Sequence, residues 1–152
     1  MVFASHPVLL IEDDDGDQLL VRQALTALRP SIDMHTVASL AAARDFLSAS
    51  GKYAAAPRPR CIVLDLNLPD GRGEDLLDWL ATSDGLDDVP VITLSAHAVA
   101  PRWPNMVGAL TKPSDLQGYD RLARGLSGLI LAAMDGPLHR NDNFSEGGST
   151  RA

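Results

Sequence analysis

Val8-Leu-Leu-Ile-Glu-Asp-Asp14 runs four apolar residues straight into three acids. So short and unbroken an apolar run reads as a strand buried on both faces, and the acids mark where it emerges. The stretch after it places Leu20, Ala24, Ala27 and Leu28 on one helical face, and Arg29-Pro30 stops that helix. Ile32–Val37 is a second strand. Ser39 caps a helix carrying Leu40, Ala43 and Leu47, which ends at Gly51. Ala54–Arg60, with Pro57 and Pro59, is a stiff surface loop before a third strand, Cys61–Leu64. Leu76, Leu77 and Leu80 give a third helix, and Val89–Leu94 a fourth strand entered through Pro90, a position where a strand tolerates proline. Val107–Leu110 is a fifth, weaker strand. Ser114 caps a last helix with Leu116, Tyr119, Leu122, Leu126, Ile130 and Ala133 on one face. Strands that alternate with helices imply a parallel sheet covered on both sides. In such sheets ligands collect at the carboxyl ends of the strands, near the topological switch point.

Composition sets the outer limits. The 152 residues fit one domain, taken as 1–135, and a polar, Gly/Ser-rich tail, 136–152, expected to be disordered. Apolar residues at 45% suffice for a core, but aromatics at 5% leave it to Leu, Val, Ile and Ala. A net charge of −7 argues against nucleic acid as a partner, since phosphate binding needs clustered Lys and Arg. Cys61 is the single cysteine, so no disulfide forms within the chain, and a cytoplasmic location is expected. No signal peptide and no apolar run of membrane-spanning length is present.

The residues just past each strand carry the chemistry. Glu12, Asp13, Asp14, Asp15 and Asp17 follow the first strand; Asp65 follows the third, Ser95 the fourth and Lys112 the fifth. A parallel sheet brings these groups to one edge. Carboxylates converging on a small crevice repel unless a cation sits among them, and oxygen ligands of this kind suit Mg²⁺. A lysine and a hydroxyl beside that cation cradle a small dianion, and a carboxylate within the cradle is a competent nucleophile for phosphoryl transfer. Taken singly each residue has a plainer reading: the acidic run as a solvated loop favoured by the helix N-terminus, which is assigned to Asp15 and Asp17; Asp65 as a turn residue; Lys112 as a surface charge. Their common position at strand ends is what weighs against accident.

Four stretches, Val8-Leu-Leu-Ile-Glu-Asp-Asp14, Asp65-Leu-Asn-Leu-Pro-Asp-Gly-Arg-Gly73, Val91-Ile-Thr-Leu-Ser-Ala-His97 and Leu110-Thr-Lys-Pro113, resemble the response-regulator receiver family of two-component signalling. The resemblance covers about residues 6–134. It implies a flavodoxin-like sheet of order 2-1-3-4-5, with Asp65 accepting a phosphoryl group from a histidine kinase. It implies that Asp13 and Asp65 bind Mg²⁺ directly, Asn67 through its backbone carbonyl and Glu12 through water. Ser95 and Lys112 then contact phosphoryl oxygens, Pro69 and Gly73 shape the loop after the acceptor, and a cis bond precedes Pro113. The insert Gly51–Arg60 and the wording of Asp65–Pro69 resemble the stand-alone regulators that partner phytochrome-type kinases. On this reading the chain is a phosphoacceptor regulator rather than an enzyme, and signals by protein contact because no effector domain follows. The competing classes are a pseudo-receiver that binds without phosphorylation and an aspartyl-nucleophile phosphatase. The phosphatase motif wants a second Asp where Asn67 stands.

Other features are read more openly. His97 either lines the site or is a solvated loop residue, and Cys61 is a buried strand residue. Leu129, Leu131 and Met134 widen the last helix's apolar stripe, from which a homodimer is expected. Pro101 and Pro104 interrupt the segment between Ser95 and Lys112, so the helix usual there in the family is expected to be short or absent, with at most one turn over Ala96–Ala100. The position three before the lysine is Ala109, not the aromatic that usually switches there; Trp103 is a candidate replacement.

Overall fold

The computed structural model describes residues 5–97 and 102–135. In chain order the elements are β1 (His6–Ile11), α1 (Asp15–Leu28), β2 (Ile32–Val37), α2 (Leu40–Leu47), β3 (Cys61–Asp65), the two-residue strands β4 (Asn67–Leu68) and β5 (Gly71–Arg72), α3 (Gly73–Ala81), β6 (Val91–Ser95), β7 (Met106–Thr111) and α4 (Leu116–Asp135). The main sheet has the order β2-β1-β3-β6-β7 with every pair parallel, and β4 and β5 form a small antiparallel hairpin beside it. Counting only the strands of the main sheet, this is the expected 2-1-3-4-5 order of a flavodoxin-like receiver fold.

Alternation along each strand explains why the runs are apolar throughout. Leu9, Ile11, Ile62 and Leu64 point to one side, where Leu40 and Phe46 of α2 and Leu76, Leu77 and Leu80 of α3 cover them. Val8, Leu10, Val63, Ile92 and Leu94 point to the other, against Val21 and Leu25 of α1 and Leu122, Leu126 and Ile130 of α4. The register lines up the carboxyl ends. Ile11 stands opposite both Val37 and Leu64, Asp65 opposite Leu94, and Ser95 opposite Thr111. The ladder continues one residue further, with the Lys112 N–H donating to the Ser95 carbonyl at 2.8 Å and the Leu66 N–H to the Leu94 carbonyl at 3.0 Å.

Several details differ from the sequence reading. The buried face of α1 is Val21 and Leu25, while Ala27 and Leu28 are exposed. Leu19, Leu20 and Val21 are adjacent, so rival helical faces fit the pattern, and packing against α4 selects the one a residue further on. The cap of α4 is Asp115, not Ser114: its carboxylate accepts from the Gly118 N–H at 2.8 Å. Ser39 caps α2 as expected, accepting from the Ala42 N–H at 3.1 Å. No cis peptide is found among the described residues, so the Lys112–Pro113 bond is trans, the more stable isomer of an X–Pro bond. In that form the Pro113 ring lies so close to Gly118 that a Cβ there has no room.

The apolar stripe of α4 is mostly turned inward. Leu122, Leu126, Ile130 and Met134 are core, and Leu129 fills the space above Gly108 of β7. Leu116, placed on the buried face from sequence, is 71% exposed. The width of the stripe serves the chain's own sheet and no longer argues for a homodimer.

Between β6 and β7 the described residues, 96, 97 and 102–105, are bends and turns, with no helix among them; the rest of the one turn expected over Ala96–Ala100 lies outside the described residues, as does the tail from 136. Trp103 lies in this segment. It packs on the α2/α3 side of the core, and its indole N–H donates to Asp78 Oδ1 of α3 at 2.9 Å.

Gly73 opens α3 against the backbone that leaves β3. A Cβ there would stand 2.8 Å from Leu66 Cα and 2.9 Å from the Asp65 carbonyl oxygen, so backbone itself would have to move. Gly73→Ala is therefore expected to lower the unfolding free energy by about 1–3 kcal/mol, read as a lower urea midpoint. An unchanged midpoint would show that the loop shifts without cost.

Candidate functional site

Three strand ends and the first turn of α1 meet at the switch point between β1 and β3. Glu12 and Asp65 are almost fully buried, while Asp13 is exposed. The carboxylates of Glu12, Asp13 and Asp65 each place an oxygen within 4.8 Å of the others. Lys112 faces them: its Nζ lies 2.7 Å from Glu12 Oε1 and 3.0 Å from Asp65 Oδ2. The remaining Asp65 oxygen, Oδ1, accepts from the Asn67 N–H at 3.0 Å.

Local structure holds each group in place. The Gln18 side chain donates to the Glu12 carbonyl, tying the end of β1 to α1. The Asp14 N–H donates to Glu12 Oε2 at 3.2 Å, and the Asp14 side chain caps α1. The loop after Asp65 is pinned by Asp70, whose two oxygens accept from the Leu40 and Ala41 N–H groups at 2.9 and 3.0 Å. Those backbone donors hold the Asp70 carboxyl below its usual range. Ser95 stands at the end of β6 with its hydroxyl donating to the His97 carbonyl. It lines, with Asn67, Arg72 and His97, a crevice of about 180 Å³ next to the acceptor. Thus His97 does border the site, on its exposed rim.

Burial sets the electrostatics. It drives the Glu12 carboxyl up to about 7, against the pull of Lys112, with Asp65 pushing the same way. Burial acts on Lys112 in the opposite sense, but Glu12 and Asp65 outweigh it and hold the ammonium above its usual value. One lysine thus serves two buried carboxylates, with the exposed Asp13 beside them. A divalent cation held by oxygen ligands fits this donor set, because it would supply the positive charge that one ammonium cannot. The site residues read from sequence come together here: Glu12, Asp13, Asp65 and Lys112 in one cluster, Ser95 and Asn67 along the adjoining crevice.

Two residues escaped that reading. Asp17, by sequence a solvated charge at a helix start, lies 3.4 Å from Lys112 Nζ through Oδ2 and accepts the Tyr119 hydroxyl on Oδ1 at 2.6 Å. By sequence Tyr119 belongs to the apolar stripe of α4. Burial, then its bond to Asp17, holds the phenol above its usual value. No sequence signal pairs these residues, since the contact depends on α1 lying against α4. Among the described residues no helix is long and apolar enough to cross a membrane.

Comparison with known proteins agrees with this geometry. The model of the response regulator receiver domain matches residues 8–119. Response regulator Rcp1 of Synechocystis sp. is 28% identical over 135 residues, which cover 86% of this chain and 92% of the relative. Among solved structures, the phosphorylated cyanobacterial phytochrome response regulator RcpA superposes with a TM-score of 0.74 at 27% identity, covering 85% of this chain and 96% of that one. The Mn²⁺-bound form of Rcp1 gives 0.69 at 28% identity, covering 80% and 91%. With the matched residues spanning most of the described fold and the acidic cluster, lysine and strand order in place, the chain belongs to the response regulator receiver domain family.

Proposed function

We propose that this chain is a phosphoacceptor regulator that takes a phosphoryl group from a phosphohistidine of a histidine kinase onto Asp65 and signals by contact with another protein. The observation that carries this is a buried carboxylate, Asp65, held 3.0 Å from the Lys112 ammonium at the edge where two further acids converge. An Asp65 carboxylate oxygen attacks phosphorus, the N–P bond breaks, and the imidazole leaves as the acyl phosphate forms. Lys112 pairs with a phosphoryl oxygen, and Ser95 turns its hydroxyl from the His97 carbonyl to another. Asp13 and Asp65 would hold Mg²⁺ with their carboxylates, Asn67 with its backbone carbonyl and Glu12 through water. When bound, the ion supplies charge that offsets repulsion between the anionic acceptor and donor. Similarity to RcpA and Rcp1 supports a phytochrome-type kinase as the phosphodonor.

Incubation with Mg²⁺ and acetyl phosphate should give an acid-stable, alkali-labile mass gain on Asp65. No gain would indicate a binding module that does not turn over, and steady release of phosphate from many esters would indicate a phosphatase. The acids should not be equivalent in this assay. Asp13→Asn is expected to slow labelling by about tenfold or more, with the loss reduced at high Mg²⁺, because Asp13 belongs to the carboxylate cluster. Asp15→Asn should change the rate by less than about twofold, as an exposed charge in water does. Equal effects would reduce the acidic run to a diffuse field.

A further inference from the structure

We propose that Tyr119 is a positioning residue for Lys112, acting through Asp17, and that this link passes the state of the acceptor to α4. The inference rests on the phosphoacceptor reading above.

Lys112 has three N–H donors and three carboxylates around it. Glu12 Oε1 is at 2.7 Å, Asp65 Oδ2 at 3.0 Å and Asp17 Oδ2 at 3.4 Å. Asp17 is the longest of these contacts and the one that belongs to a helix, the first turn of α1, rather than to the end of a strand. Its other oxygen is taken by the Tyr119 hydroxyl at 2.6 Å, a charge-assisted bond at the short end of the range. A continuous chain therefore runs Asp65–Lys112–Asp17–Tyr119, from the acceptor to the first turns of α4. The Tyr119 ring anchors the far end, packed on the α1/α4 side of the core.

A second route joins the same points through the backbone. Pro113 follows Lys112 directly and abuts Gly118 with no space for a Cβ, while Asp115 caps the Gly118 N–H at 2.8 Å. The start of α4 is thus held beside Lys112 through Pro113, and Asp115 fixes the turn that Pro113 packs on. A phosphoryl group on Asp65 brings new anionic oxygens to the ammonium, which already donates to Asp65 and Asp17 and pairs with Glu12 Oε1 at 2.7 Å. The contact that yields is the longest, Asp17. Released from Lys112, Asp17 is held by Tyr119 alone, and the pair resets against α4. The missing ring at Ala109 is consistent with an output that leaves through this helix rather than through β7.

Amide exchange with and without Mg²⁺ and beryllofluoride tests the link, together with Asp65 labelling by acetyl phosphate. In the wild-type chain beryllofluoride is expected to change exchange at the amides of residues 120–123 by about tenfold. Tyr119→Phe should abolish that response while Asp65 still labels, at an altered rate. Asp17→Asn should abolish it equally, and adding Tyr119→Phe to Asp17→Asn should change the labelling rate no further. A merely structural tyrosine would instead lower stability in both backgrounds and leave the beryllofluoride response in place, which overturns the proposal. Additive effects on labelling overturn it too. If Tyr119→Phe does not fold, loss or retention of the response in Asp17→Asn decides the matter. A wild-type chain that labels without any change at residues 120–123 sinks this inference alone, whereas one that neither labels nor takes beryllofluoride sinks the acceptor reading with it.

Discussion

Asp65→Asn is expected to reduce phosphoryl labelling by at least about a thousandfold, to background, while the chain stays folded. The carboxamide keeps the shape of the side chain and the acceptor for the Asn67 N–H, which bonds Oδ1 at 3.0 Å. It removes the anionic nucleophile, and a neutral amide oxygen forms no stable acyl phosphate. Stability should change by no more than about 1 kcal/mol, because two effects oppose. The Lys112 contact at 3.0 Å loses its charge, but so does the repulsion between Asp65 and the buried Glu12. Intact-mass measurement after acetyl phosphate, alongside urea melts of both proteins, gives the two readings together. Labelling of the variant at the wild-type rate would move the acceptor to another residue, with Asp13 the first to examine.

How much of this was open to a reader of the sequence depends on whether a feature is local or brought about by packing. The strands declared themselves because both faces of the sheet are covered: Val8–Ile11 and Cys61–Leu64 are apolar without alternation, and their ends are marked by the first charged residue. Register then follows from those ends, so the cluster of Glu12, Asp13, Asp65 and Lys112 was legible before any geometry. The helices were less so. In α1 the apolar residues fit more than one face, and only contact with α4 decides for Val21 and Leu25. In α4 the pattern gave the right core positions from Leu122 onward but wrongly buried Leu116, because a stripe does not reveal where the sheet beneath it ends. Asp17 and Tyr119 are far apart in sequence, and each has an ordinary local explanation, so their bond could not be read. The bond from Trp103 to Asp78 is hidden for the same reason.

Lys112→Met should be the most damaging substitution to the fold at neutral pH. Its ammonium is the cation within salt-bridge distance of Glu12, Asp17 and Asp65 among the described residues, and methionine replaces it with a chain of similar volume and no charge. Breaking a buried pair from one side typically costs about 3–5 kcal/mol, because the partner is left charged and unsolvated. Here about 3 kcal/mol is expected, since the lysine side chain is itself 23% exposed and some of its interaction is already screened by water. The loss should depend on pH in a definite direction. Burial already raises the Glu12 carboxyl from 4.5 to about 7 with Lys112 opposing it, and removing the lysine raises it further. The folded state then binds more protons than the unfolded one between the unfolded value of 4.5 and a folded value above 7. In that window stability falls as pH rises, but the wild type follows the same course up to its own value of about 7, so the variant's deficit relative to it should open above about pH 7 and narrow as pH drops from about 8 to 7. Mg²⁺ at neutral pH should restore part of it by supplying the missing charge. Urea midpoints of both proteins across this range, with and without Mg²⁺, make the comparison. A deficit independent of pH would mean that the methionine fails through packing, and that the lysine does not offset the buried acids in the way its distances indicate.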